Sequence, residues 1–322
     1  MNAVNEANTH WARQKEVGSY LGLLIMFWAY RLGGRLLFTL LLYPVIGYFF
    51  VSSRLARESS LEFLQMAYAA GAIHFKARPG YWQSFRHFIS FGHSILDKVA
   101  VWTGGLTCES VSFPNRSYFR EQIESGQGGV ILASHLGNLD ICRYLSKQTP
   151  ALKLNILVHT RHAQKFNELL NKMNSETNIH FVQVDTVGPD TAMLLKQKVE
   201  AGEFVAIVGD RIPVEENARW ISVPFLRRQA GFPVGPFVLA ALMRCPVYSL
   251  FCVRHERGYQ VDINLFAERI SLNRRSRNQD LQNYIQQYAE LLQQYSLQYP
   301  YQWFNFYRFW SDRNISQDPQ AS

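Results

Sequence analysis

From about Thr107 onward, short apolar runs alternate with stretches of helical spacing, and this alternation limits the possible folds more than any other feature of the chain. The runs are Glu109–Phe113, Gly129–Ala133, Leu154–Val158, His180–Val184, Phe204–Val208, Val247–Val253 and Gln260–Leu265. Between them, Tyr118–Glu124, Leu139–Lys147, Ala163–Asn174, Thr191–Glu200 and Pro236–Met243 carry apolar residues three and four apart. Repeated strand–helix units predict an α/β domain with a mostly parallel central sheet flanked by helices on both faces. Pro189 near one helix start and Gly202 just past its end match the usual punctuation. Gln279–Gln298 reads as a polar helix with Leu281, Tyr284, Ile285, Tyr288, Leu291 and Leu292 in one stripe that packs on the domain. The tail after Asn314 is expected to be disordered.

Residues 1–100 have a different character and read as an N-terminal helical, membrane-associating region, with 101–322 as the α/β domain. Leu61–Ala72 and Tyr81–Val101 have helical spacing. Leu21–Tyr30 and Leu36–Val51 are more apolar, and Arg31, Gly33, Gly34 and Arg35 separate them. Neither reaches the roughly 20 residues a spanning helix needs. Arg13 and Lys15 lie before the pair and Arg54 and Arg57 after it, which suits two ends on the same, cytoplasmic side. A monotopic anchor or shallow helical hairpin is the first reading; a tilted span and a buried soluble helix are the alternatives. The first twenty residues are polar, with Glu6 and Glu16, so no cleavable signal peptide is expected.

The run Gly129–Ala133 leads directly into Ser134-His135-Leu136-Gly137-Asn138-Leu139-Asp140. Five residues along a continuous helix turn a side chain roughly 140° away. His135 and Asp140 therefore meet only if His135 occupies the strand-to-helix turn and Asp140 the first helical turn. Gly137 suits such a turn and Asn138 a helix cap. The result is a histidine with an orienting carboxylate at the carboxyl end of a strand, where open α/β sheets place their sites. A histidine near a helix start that serves structure alone is the bland alternative.

The His-x4-Asp pattern resembles the signature of the lysophospholipid acyltransferase superfamily, and within it the bacterial lipid A late acyltransferases. Further landmarks follow in that branch's order: Val208-Gly209-Asp210-Arg211-Ile212-Pro213, then Val223 to Ala230 continuing through Phe232-Pro233-Val234-Gly235-Pro236, then Cys245-Pro246-Val247-Tyr248, and last Pro300 to Trp310. The resemblance implies a bacterial inner-membrane enzyme with its catalytic domain on the cytoplasmic side. It would move a fatty acyl group from an acyl-carrier-protein or coenzyme A thioester to a hydroxyl or amine of a membrane lipid. His135 would be the general base and Asp140 its partner. Arg211, Asp210, Asn138 and Arg228 are expected to contact substrate. Arg211 stands where the superfamily has an arginine taken to bind an acceptor phosphate, but Gly209-Asp210-Arg211 departs from the Glu-Gly-Thr-Arg form, which counts against glycerol-phosphate acceptors. The bland reading of Arg211 is an ion pair with Asp210 or Asp140. Trp303 and Trp310 read as core or interface aromatics.

A thiolate departs readily, so a thioester donor needs little help at its leaving group, and a neutral histidine that deprotonates the acceptor supplies the harder step. No nucleophilic serine or cysteine and no cofactor is required. Two other functions use the same fold: a thioester hydrolase directing the dyad at water, and a non-catalytic lipid-binding protein. The formal net charge of +8 favours an anionic partner such as phospholipid or an acidic carrier protein. The basic residues are scattered without a nucleic-acid motif, which disfavours nucleic acid, and no nucleic-acid partner is expected. Cys108, Cys142, Cys245 and Cys252 form no CxxC pair, and His159 and His162 have no acidic or cysteine partner nearby, so no metal site is expected.

Overall fold

The structure, a computed structural model, describes residues 20–102, 111–141, 149, 151–158, 178–183, 188–213, 218–256 and 258–310. Every residue of strand β2 (Gly129–Ala133) is buried. A strand that is apolar throughout needs cover on both faces, and β2 receives it at the centre of a seven-stranded sheet. The sheet order is β1 (Val111–Ser112), β9 (Gly258–Ala267), β8 (Val247–His255), β2, β5 (Phe204–Val208), β3 (Leu154–Val158) and β4 (Ile179–Gln183). The pairings among β8, β2, β5, β3 and β4 are parallel. β9 runs antiparallel to β8 at one side, and β1 pairs parallel with β9. The chain is thus an α/β fold with a mostly parallel sheet, as its periodicity predicts.

The two faces of β2 feed different cores. Val130 and Leu132 enter the larger one, built with Phe63, Leu195, Val205, Phe237, Ile285 and Trp303. Ile131 points the other way, toward Phe119, Phe204, Tyr248 and Val261. This alternation is the period of two expected of a strand. Helix α7 (Arg277–Gln298) covers the first face and buries Leu281, Ile285, Tyr288 and Leu292 from its stripe, while α4 (Arg116–Glu124) buries Phe119 and Ile123 on the second. Helices α5 (Pro189–Glu200) and α6 (Gly235–Met243) complete the first layer.

Three N-terminal helices stand beside this sandwich. α1 (Tyr20–Ser52) breaks at Gly34, whose φ of 60° and ψ of −153° only glycine adopts easily. α2 (Arg54–Ala69) follows at once, and the Leu36–Ser52 limb of α1 meets it at 94°. Arg57 holds that corner by donating to the carbonyls of Phe50 and Val51, which the end of α1 leaves unpaired. α3 (Tyr81–Trp102) packs on α1 through a small core of Phe38, Leu42, Ile46, Phe88 and Leu96. Among the described residues, no single helix is long and apolar enough to cross a membrane; the bent pair Leu36–Ser52 and Arg54–Ala69 passes that test together.

The periodicity misses one unit. β6 (Trp220–Phe225) and β7 (Arg228–Pro233) form a separate antiparallel hairpin. Its two-residue turn, Leu226-Arg227, has φ of 48° and 65°. Such turns usually advertise themselves with Asn or Gly, and here a leucine and an arginine occupy the left-handed positions. The helix expected over Ala163–Asn174, most of that over Leu139–Lys147, the tail after Asn314, Cys108, Cys142, His159 and His162 lie outside the described residues.

Candidate active site

β2 and β5 lie side by side in parallel, with Ala133 opposite Val208. Continuing that register two residues past each strand places His135 opposite Asp210. The side chains meet: His135 Nδ1 lies 2.8 Å from Asp210 Oδ1, and the His135 backbone N–H donates to Asp210 Oδ2 at 2.9 Å. A third donor, Trp303 Nε1–H, also reaches Oδ2 at 2.9 Å. Asp210 is only 1% exposed, and burial alone would raise its pKa. The His135 charge and hydrogen bond, Arg211 and the Trp303 N–H outweigh burial and hold it below the ordinary aspartate value.

An ionised Asp210 accepts only, so Nδ1 carries the proton and Nε2 presents its lone pair. No described residue bonds Nε2, and the side chain is 35% exposed. Burial and the Arg211 charge lower the His135 pKa against the pull of Asp210, and Lys98 adds to the lowering. The ring is therefore neutral at neutral pH, the state a general base requires.

This geometry corrects the expected partner. The bond that Asp140 was to make to His135 is made by Asp210, and Asp140 Oδ2 lies instead 3.1 Å from Lys98 Nζ on α3. The turn itself forms as expected. Gly137 has φ of +80°, and a Cβ there would sit 1.8 Å from the Cys252 carbonyl oxygen, so only glycine fits. Its N–H donates to the Gln302 carbonyl, and the Asn138 N–H to that of Cys252. Asn138 Oδ1 accepts the Asp140 N–H, a cap-type bond, and its Nδ2 donates to the Ser94 carbonyl. Asn138 is 1% exposed, which fits a loop brace and not the substrate contact expected of it.

Asp210 likewise is buried against His135 and not turned out toward a substrate. Arg211 donates to the Phe304 carbonyl at 3.1 Å and lies over the Tyr307 ring, 5.5 Å from its centre. Arg228 sits just past the hairpin turn and pairs with Glu62 on α2 at 3.1 Å. The segment after α7 closes over the turn: Leu136 bridges Trp303, and the Phe304 N–H donates to the His135 carbonyl. Trp303 and Trp310 are buried, as core aromatics should be. Neither Lys98 nor the Trp303 contact with Asp210 is signalled locally, since both are contacts across long sequence separations. Among the described residues, no group of three or more His, Cys, Asp and Glu side chains is placed to hold a metal.

The family model of bacterial lipid A biosynthesis acyltransferases matches residues 88–312, which include the His135 turn, Asp210, the hairpin and the closing segment. The chain belongs to this family. No curated protein matches the chain. Membership makes it an acyltransferase with an acyl donor and a lipid acceptor, and it gives the His135–Asp210 geometry a reaction to be read against.

Proposed function

We propose that the chain transfers a fatty acyl group from an acyl-carrier-protein or coenzyme A thioester to a hydroxyl or amine of a lipid A precursor, with His135 as general base and Asp210 as its orienting carboxylate. One observation carries this reading: a histidine whose Nδ1 is fixed by a buried carboxylate while its part-exposed ring has no partner at Nε2 among the described residues. Nε2 takes the proton of the acceptor hydroxyl as its oxygen attacks the thioester carbonyl. The new C–O bond forms, the C–S bond breaks, and the imidazolium returns the proton to the departing sulfur. Asp210 stabilises the imidazolium between these steps. Arg211 and Lys98 lend positive potential to the oxyanion and to an anionic acceptor.

A membrane surface is the matching location. The Leu36–Ser52 limb leaves Leu36, Leu40, Tyr48 and Val51 exposed, and α3 exposes Tyr81 and Trp82. Apolar side chains with interfacial Tyr and Trp suit a helix lying in the headgroup boundary. The +8 charge favours an anionic bilayer and an acidic carrier.

The test is product analysis with labelled donor and a lipid A precursor. Acylated lipid from the wild type, lowered by about 10²–10⁴ in His135→Ala, is the expected result. Free fatty acid as the main product would make the chain a hydrolase, and full activity in folded His135→Ala would remove the mechanism.

A further inference from the structure

Asp210 accepts three N–H donors, and two of them come from His135, the residue it has to orient. A carboxylate held by His135 alone would move with it. The third donor, the Trp303 indole, comes from a different part of the chain, the segment after α7. Trp303 is itself held on every side. Its ring makes edge-to-face contacts with Phe63 and Phe309, both at 4.9 Å between centres, and with Phe225 at 5.3 Å. Its backbone bridges Leu136, next to the base. Its carbonyl is 3.0 Å from Nε2 of His87, a fully buried histidine on α3. His87 Nδ1 lies 3.0 Å from Ser60 Oγ on α2, which in turn takes a bond from Ser84. The Trp303 carbonyl is thus tied to the N-terminal helices and its indole to the dyad.

We propose that Trp303 is a positioning residue of the dyad: its indole N–H fixes the direction of the Asp210 carboxylate and moderates its basicity, and so sets the proton affinity of His135. This rests on the reading of His135 and Asp210 as a base and its partner. Packing alone would be served by any bicyclic ring of the same shape at this buried aromatic site, whereas Asp210 is served only by the N–H. The other groups that act on the pair are Arg211 beside Asp210, Lys98 on α3 with its partner Asp140, Tyr288 on α7 and Tyr307. Of these, Arg211 bonds the carbonyl of Phe304, the neighbour of Trp303, so the replacement at Trp303 has to keep the ring's shape.

The sign follows from electron density. Deleting the indole N–H leaves more negative charge on Asp210 for the His135 Nδ1–H. The imidazolium gains, and His135 titrates at a higher pH. The loss of one hydrogen bond to a charged group predicts a rise of about half a unit to one unit.

The measurement is an NMR titration of isotope-labelled histidine in the full-length protein, with the His135 signal assigned by its loss in His135→Gln. It needs no substrate. Trp303→Phe should raise the His135 midpoint. Replacing Trp303 with β-(3-benzothienyl)alanine, which keeps the bicycle and exchanges only N–H for sulfur, should do the same even if the phenylalanine variant folds poorly. Asp210→Asn is the control and should lower the midpoint. If Asp210→Asn moves the midpoint and the benzothienyl protein does not, Trp303 is packing only and the proposal is overturned. If Asp210→Asn leaves it unmoved, the dyad reading fails, and the proposal with it.

Discussion

His135 and Asp210 lie 75 residues apart in the chain and 2.8 Å apart in space, because one parallel register carries both. β2 and β5 deliver their ends together, and each supplies one member of the pair two residues beyond its last strand position. The expected effect of mutation follows from the position of each carboxylate. On the proposed mechanism, Asp210→Asn should lower kcat by about 10²–10⁴, since the group that would fix the tautomer and stabilise the imidazolium is gone. Asp140→Asn frees Lys98 and should cost less. Steady-state kinetics on both variants decide the point; a larger loss at Asp140 would return the orienting role to it.

Gly137 is the second test. Its φ of +80° and the 1.8 Å approach of a Cβ to the Cys252 carbonyl leave no room for alanine without backbone movement. Gly137→Ala should destabilise the protein by about 1–3 kcal/mol and lower activity further by displacing His135. Denaturant unfolding together with kinetics checks this. A stable, fully active Gly137→Ala would mean that the turn tolerates a shift that the Cys252 contact forbids.

Much of this was legible in the sequence. β2, β3 and β5 occupy the residues their apolar runs predict, and α7 buries its predicted stripe, because continuous apolar runs and helical spacing report burial directly. The turn at Gly137 was legible for the same local reason. The partner of His135 was not. A carboxylate five residues away is visible in the sequence, whereas one 75 residues away becomes visible only once β2 is known to pair with β5. The hairpin was hidden by Leu226 and Arg227 at positions where a turn usually shows Asn or Gly.

His87 gives stability a pH dependence. Burial, opposed only by its bond to the Trp303 carbonyl, lowers its pKa to about 3. The unfolded chain binds a proton at this residue near pH 6.5, and the folded protein does not. The stability contributed by neutral His87 is therefore complete above about pH 6.5 and is lost progressively as the pH falls toward 3. His135 acts in the same direction. His87→Gln, which keeps an amide donor for Trp303, should flatten the slope of unfolding free energy between about pH 6 and 4 by up to roughly 1.4 kcal/mol per pH unit. Urea unfolding at a series of pH values measures it. An unchanged slope would show that His87 is not the group that titrates.

The outer face of α1 should bind bilayers by apolar contact. Leu36 and Leu40 are 73% and 62% exposed. Leu36→Glu with Leu40→Glu should leave the sheet folded and reduce cosedimentation with anionic vesicles, and salt should release the wild type less completely than detergent does. Complete release by salt would reduce the contact to electrostatics alone.

A change at Arg211 tests whether the site reads the acceptor's charge. Its guanidinium donates to the Phe304 carbonyl and covers Tyr307, so one part of its role is to hold the closing segment. Arg211→Lys keeps the charge but loses the planar fork that grips a phosphate with two parallel bonds. If Arg211 also binds an anionic headgroup, the acceptor KM should rise several-fold more than the donor KM. The lost bond to Phe304 should lower the melting temperature in either case, so the melt alone does not discriminate. The discriminating measurement varies each substrate in turn at saturating levels of the other. Equal changes in both KM values would confine Arg211 to holding the segment that carries Trp303, whereas a selective acceptor effect would place the headgroup beside His135.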